Sequence, residues 1–263
     1  MLYVSRRLAL GLVAVFAGSR RALAQVRDPS DAVNKAGRQR MLSQRCAKAY
    51  LALGQSVRSE QAEKVLADSM ALFDRQLVEL RAYAPTPDIK ATYNELDGAW
   101  SAYKVQLVGA PASKGGADAV MTSAGRILRL ANQGTTQFEA AIGKPIGKLV
   151  NVSGRQRMLS QQAAAMYLSA SWGVQRDASI AALRTARSEF AAAHASLESA
   201  AETTPAIRAE LDLAKQQFAF FDSALQFLET GSVDAHQQAD VFTTSERILQ
   251  VMEVATEMYA RLG

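Results

Sequence analysis

Apolar positions along this chain recur at helical spacing, and no stretch alternates apolar and polar residues as a half-buried strand does. Eight helical segments follow from that pattern. Four run over about 30–57, 59–83, 87–108 and 116–142, and four more over about 146–174, 177–201, 205–229 and 234–262. Breaker signals set their ends: Gly54, Ala84-Pro85-Thr86-Pro87, Gly109-Ala110-Pro111 and Lys114-Gly115-Gly116. Ile142 to Gly147, which contains Gly143 and Pro145, is either a kinked helix or a short hinge. Ala, Leu, Gln, Glu, Arg and Met dominate the sequence after Arg27, all good helix formers. The expected class is all-α. Short connections favour antiparallel neighbours, so two tandem antiparallel four-helix bundles are the economical architecture. Met70, Phe73, Trp100, Tyr103, Phe218, Phe221 and Phe227 are expected in their cores.

The chain repeats itself. Asn34-Lys-Ala-Gly-Arg-Gln-Arg-Met-Leu-Ser-Gln44 returns as Asn151-Val-Ser-Gly-Arg-Gln-Arg-Met-Leu-Ser-Gln161, 117 residues later, with nine of eleven positions identical. Pro87-x-Ile89 matches Pro205-x-Ile207, and Trp100 aligns with Phe218 at an offset of 118. Arg126-Ile-Leu128 matches Arg247-Ile-Leu249 at an offset of 121. Slowly rising offsets are what a duplicated domain with small loop insertions gives. The expected units are residues 25–143 and 144–263, after a leader of residues 1–24.

That leader alters the charge. Arg6 and Arg7 precede an apolar run from Leu8 to Ala17, and Ala22-Leu23-Ala24 forms an A-x-A cleavage signal before Gln25. The run is too short to span a membrane, which takes about 20 residues. A cleaved signal peptide and a periplasmic product are expected, by the general or the twin-arginine route. The whole chain carries 30 basic and 25 acidic residues, net +5. Four arginines (6, 7, 20 and 21) leave with the leader, so the mature charge is 26 − 25 = +1. The basic balance therefore gives no reason to expect a nucleic-acid partner. Cys46 is the single cysteine, so no internal disulfide forms.

On a helical wheel the face of Arg40 carries Val33, Ala36, Gly37, Ser43, Gln44, Ala47 and Leu51. Around Arg157 lie Val150, Ser153, Gly154, Ser160, Gln161, Ala164 and Leu168. Both stripes are small or amide-bearing, which lets another helix approach closely. Leu42, Cys46, Ala49 and Leu53 form a more ordinary core face opposite. An arginine within a close-packing stripe must be paired, hydrated or snorkelling, since its guanidinium stays charged. Neither repeated segment contains Asp or Glu, so the partner is a carboxylate from another helix or a small bound anion. A planar fork of donors suits a planar oxyanion.

The segment N-x-[AS]-G-R-Q-R-M-L-S-Q resembles the signature of the PilJ-type domain, the N-terminal region of type IV pili methyl-accepting chemotaxis transducers. It is also similar to the P-box of periplasmic sensor domains in nitrate/nitrite-responsive histidine kinases. The resemblance implies four-helix sensor bundles and a nitrate-binding arginine at Arg40 and Arg157, acting across a dimer interface. It also implies roles for Asn34, Gly37 and Arg45 in the first copy, and for Asn151 and Gly154 in the second. The second copy has Gln162 in place of Arg45 and Val152 in place of Lys35. Arg38-Gln39 follows the chemotaxis-type domains rather than the kinases.

His194 and His236 sit in no metal-ligand spacing, Cys46 has no catalytic partner, and no nucleotide or nucleophile-elbow motif is present. Neither an enzyme nor a cofactor is expected. With no output module after Gly263, an exported binding protein is expected. It would recognise a small nitrate-like anion or carboxylate and work with a membrane-bound receptor or transporter component. The two copies would pair as a homodimer or as an intramolecular pseudo-dimer with Arg40 and Arg157 facing one anion. The alternative is an interaction module of the envelope or pilus-linked signalling machinery that binds no ligand.

Overall fold

The computed structural model describes residues 25–143, 145–230 and 233–262; the expected leader lies outside them. The described residues form eight helices and no strand. They are α1 (Pro29–Gly54), α2 (Ser59–Tyr83), α3 (Pro87–Val108), α4 (Lys114–Ile142), α5 (Pro145–Ser171), α6 (Arg176–Glu198), α7 (Pro205–Thr230) and α8 (Ala235–Ala260). Their starts are chemically marked. Asp28 caps α1 through its side chain, with Pro29 in the first turn, and Thr86 caps α3 ahead of Pro87. Asp234 and Gln237 form a reciprocal capping box on α8. Gly143, at φ +62°, ends α4 in the left-handed conformation that glycine adopts at least cost. The joint between the copies is thus a break, not a kinked helix.

In each copy the first helix packs on the second and fourth, and the third on the fourth. The largest packing surface, however, lies between the copies: α1 lies along α5. The two run in the same direction. Gln55 Nε2, at the C-terminal end of α1, donates to Leu168 O near the C-terminal end of α5 at 3.0 Å. α1 is also held by α8 of the other copy. It is consequently buried on nearly every side, polar residues included: Asn34, Gln39, Arg40, Ser43, Gln44 and Lys48 are all at most 3 % exposed. The wheel's ordinary core face and its arginine face are both interior, because α1 and α5 form the centre of the molecule.

The aromatic core follows the repeat. Phe73 stacks on Trp100 at 3.8 Å between ring centroids, and the equivalent Phe190 stacks on Phe218 at 3.9 Å. Phe227 departs from expectation. It is exposed on the outer side of α7, with Leu213 and Phe220 fourteen and seven residues before it, so helical spacing alone did not separate a surface stripe from a core one. The turns into α2 and α6 also repeat, with Arg58 and Gln175 both at positive φ (47° and 45°). The left-handed conformation costs a non-glycine residue about 1–2 kcal/mol. Glycine's greater freedom in the unfolded chain returns about half of that. Arg58→Gly is therefore expected to raise stability by about 0.5–1 kcal/mol, measurable by urea denaturation.

Candidate functional site: the arginine seam

The repeated segment places each polar side chain twice, once per copy. Gln39 Nε2 donates to Phe73 O at 3.2 Å, and Gln156 Nε2 to Phe190 O at 2.8 Å, tying the first helix of each copy to its second. Gln44 Nε2 donates to Ala124 O at 3.1 Å and Gln161 Nε2 to Ser245 O at 2.8 Å, tying it to the fourth. Ser43 and Ser160 return their hydroxyls to Arg40 O and Arg157 O, both at 2.8 Å. These bonds account for the glutamines and serines as packing devices. The amide N–H donors fix the register of one helix against the next, while the Oε1 atoms of Gln39, Gln156 and Gln161 are left without a partner.

The arginines do something different: they reach across the seam between α1 and α5. Helical side chains lean toward the N-terminus, so each guanidinium lies beside the glycine three residues before its own arginine. Arg40 Nη2 donates to Asn151 O at 3.2 Å and to Asn151 Oδ1 at 2.7 Å. Arg157 Nη2 donates back to Asn34 O at 3.3 Å. The two guanidinium groups meet above the glycines. A Cβ added at Gly37 would stand 3.2 Å from Arg40 Nη2 and 3.6 Å from Arg157 Nη2. One at Gly154 would stand 3.0 Å and 3.7 Å from Arg157 Nη2 and Arg40 Nη2. The glycines thus make room for two like charges at one point between the helices.

The outer nitrogens break the symmetry. Arg157 Nη1 meets the Glu253 carboxylate of α8 at 2.7 Å, whereas Arg40 Nη1 meets only the Asn132 amide of α4 at 3.0 Å. Asn132 and Glu253 are equivalent positions, 121 residues apart. Glu253 is shared with Arg38. Arg40 is 1 % exposed and Arg157 fully buried. Burial is the main force lowering both pKa values: Arg40 falls to about 10, with Arg155 adding to the effect, and Arg157 is held well below its ordinary value, with Arg38 and Arg40 adding. Both Nε atoms and Asn34 Oδ1 lack hydrogen-bond partners. The seam is thus short of negative charge and has spare hydrogen-bonding capacity.

Arg45 goes elsewhere. Its guanidinium clasps Glu246 of α8 and donates to Ser69 at 3.2 Å. Lys48, with its side chain fully buried, joins the same carboxylate at 2.6 Å and lies 4.4 Å from the centroid of the Phe242 ring. The cationic neighbours hold Glu246 down to about 2 against its own burial, and burial brings Lys48 down to about 8. Lys35, the lysine after Asn34, is paired with Glu79 at 2.7 Å and with Asp31 at 3.0 Å. No local signal marks the Arg45–Glu246–Lys48 cluster, because Glu246 lies 201 positions from Arg45 and has no carboxylate counterpart in the first copy.

On the other side of the seam that cluster is missing. At the equivalent positions stand Gln162, Gly125 and Ala165, and a cleft of about 460 Å³ opens between α4, α5 and α6. Leu128, Arg129, Asn132, Arg155, Gln162 and Glu189 are among its lining residues. Arg155 is paired with Glu189 at 2.8 Å; Arg129 makes no ion pair among the described residues. Asn132 both lines this cleft and holds Arg40.

Comparison with known proteins agrees with the repeat. The profile of the PilJ family, described as "Type IV pili methyl-accepting chemotaxis transducer N-term", matches residues 21–134 and again residues 144–251. No curated protein and no solved structure matches the chain. No described helix is long and apolar enough to cross a membrane. With both copies matched over most of the sequence, the chain belongs to the PilJ family, a family of sensor and signalling domains rather than of enzymes.

Proposed function

We propose that this protein is a tandem sensor module working as an intramolecular pseudo-dimer, with a small oxyanion held between Arg40 and Arg157 as its input. The observation that carries the reading is the convergence of two buried guanidinium groups on one seam where, among the described residues, Glu253 alone pairs with them directly and Glu139 reaches Arg40 only through the Asn151 amide. A planar anion would supply the missing charge and use the spare Nε donors. Its approach is the cleft on the Asn132 side, since Glu253, Arg38 and the Glu246 cluster occupy the other. Binding would draw α1 and α5 together, and α4 and α8 would carry that shift to a membrane-bound receptor or transporter component. The leader of residues 1–24 and a periplasmic location belong to the same reading.

The test is thermal unfolding with nitrate, nitrite or acetate against chloride at equal ionic strength. A tenfold excess over Kd should add about 1.4 kcal/mol to stability, through RT ln(1 + [L]/Kd). The gain should vanish in Arg40→Met. A folded sample indifferent to all three anions would instead favour a second reading, an interaction module that binds no ligand. What favours that second reading is the Arg157–Glu253 pair, together with the closure of every motif glutamine and serine on a helix backbone.

A further inference from the structure

The second copy contains a cavity that the first copy fills with its own side chains. Between α6 and α7 lies a space of about 310 Å³, lined by Phe190, His194, Glu198, Lys215, Phe218 and Asp222 among others. His194 is 4 % exposed, and neither of its ring nitrogens has a hydrogen-bond partner. The nearest carboxylate oxygen, of Glu198, stands 3.7 Å from Nε2, beyond hydrogen-bond reach. Glu198 is held instead by Lys215 at 2.9 Å, and Asp222 by Arg187. Burial lowers the imidazole pKa, so at neutral pH the ring is uncharged and presents one donor and one bare acceptor. Leaving both unmet in the interior is costly.

The first copy shows what belongs in such a space. The position of His194 is taken there by Leu77, that of Ala191 by Asp74, and that of Phe218 by Trp100. Trp100 is 1 % exposed, stacks on Phe73 and donates its indole Nε1–H to Asp74 at 2.7 Å. In the second copy the stacked pair survives as Phe190 and Phe218, but the second ring of the indole, its N–H and the acceptor are gone, and an imidazole stands near the place they left. We infer that the cavity between α6 and α7 binds a small planar aromatic compound whose single N–H or O–H is donated to the His194 imidazole. The volume lies at the lower end of the range for small-molecule sites, and aromatic walls with one unpartnered polar group, His194, beside charges already paired to one another fit such a ligand.

The test is an NMR titration of the whole protein with indole, following the His194 ring signals, with the exposed His236 ring as internal reference. Benzofuran, which has indole's shape without the donor, is the comparison ligand. The expected result is a saturable shift of His194 and not of His236, with benzofuran weaker by about tenfold or more. Phe218→Trp, which rebuilds the plug of the first copy, should abolish binding in a folded protein. His194→Leu, the residue of the first copy, should erase the preference for indole over benzofuran, read by calorimetric titration because the variant lacks the reporter ring. Absence of a saturable His194 shift, equal affinity for the two ligands, or undiminished binding by Phe218→Trp would each overturn the assignment.

Discussion

Glu246→Ala is expected to cost about 3–5 kcal/mol, the range for removing one partner of a buried ion pair. In a chain of this size that lowers Tm by about 6–20 °C. The carboxylate is the common partner of Arg45 and Lys48, and the Lys48 side chain has no exposed surface through which to reach water. Once Glu246 is gone, the ammonium must either stay charged and desolvated or lose its proton, and both destabilise the fold. A double variant, Lys48→Met with Glu246→Leu, should recover most of the loss, because apolar replacement of the whole pair removes the desolvation penalty as well. A single-variant cost below about 1 kcal/mol in chemical denaturation would show that water reaches Lys48. The same group makes the fold acid-sensitive. Its folded pKa, about 2, lies below the unfolded 4.5, so the stabilisation is complete above about pH 4.5 and is lost as pH falls toward 2.

The second large effect has the opposite sign. Arg40→Met should stabilise the protein by about 2 kcal/mol, which raises Tm by about 4–8 °C. Arg40 is buried, faces a second guanidinium, and receives only neutral acceptors from Asn132 and Asn151. Its desolvation is therefore not offset by any direct ion pair. Methionine keeps the unbranched shape, and Asn132, being exposed, can turn to water. A stabilised but unresponsive Arg40→Met would place the arginine among residues retained for a task at the expense of stability. A loss of more than about 2 kcal/mol would identify it as a structural strut instead, since such a loss needs a favourable interaction worth more than its burial.

Much of the fold was legible because its signals are local. Helix starts at Asp28-Pro29, Thr86-Pro87 and Asp234 follow from capping chemistry, and the duplication follows from direct comparison of residues 34–44 with 151–161. The small residues at 37 and 154 correctly indicated a close helix neighbour. What the sequence did not disclose is which helix that neighbour is. A wheel assigns one inward face, whereas α1 has neighbours in both copies and is interior nearly all round. For Arg45 the family resemblance implied a ligand role, and its engagement with Glu246 emerged only from the packing of α1 on α8. Phe227 shows the converse case: its spacing matches the core aromatics, but it lies on the outward side of α7. The cavity at His194 arises from packing, where Phe218 stacks on Phe190 as Trp100 does on Phe73 and His194 is buried beside them, and no local pattern marks it.

The parallel seam between α1 and α5 has an evolutionary and quantitative consequence. In a symmetric pair of separate chains, every substitution appears on both sides of the axis and must suit both. Here the partners are joined by the short connection from Ile142 to Pro145, so each side has been free to change alone. Asn132 opposite Glu253, and Gly125 opposite Glu246, record that freedom. Tethering also replaces a bimolecular association with an intramolecular one at an effective concentration on the order of millimolar. The α1–α5 pair therefore stays assembled however dilute the protein is, and its two arginines meet at one seam in every chain.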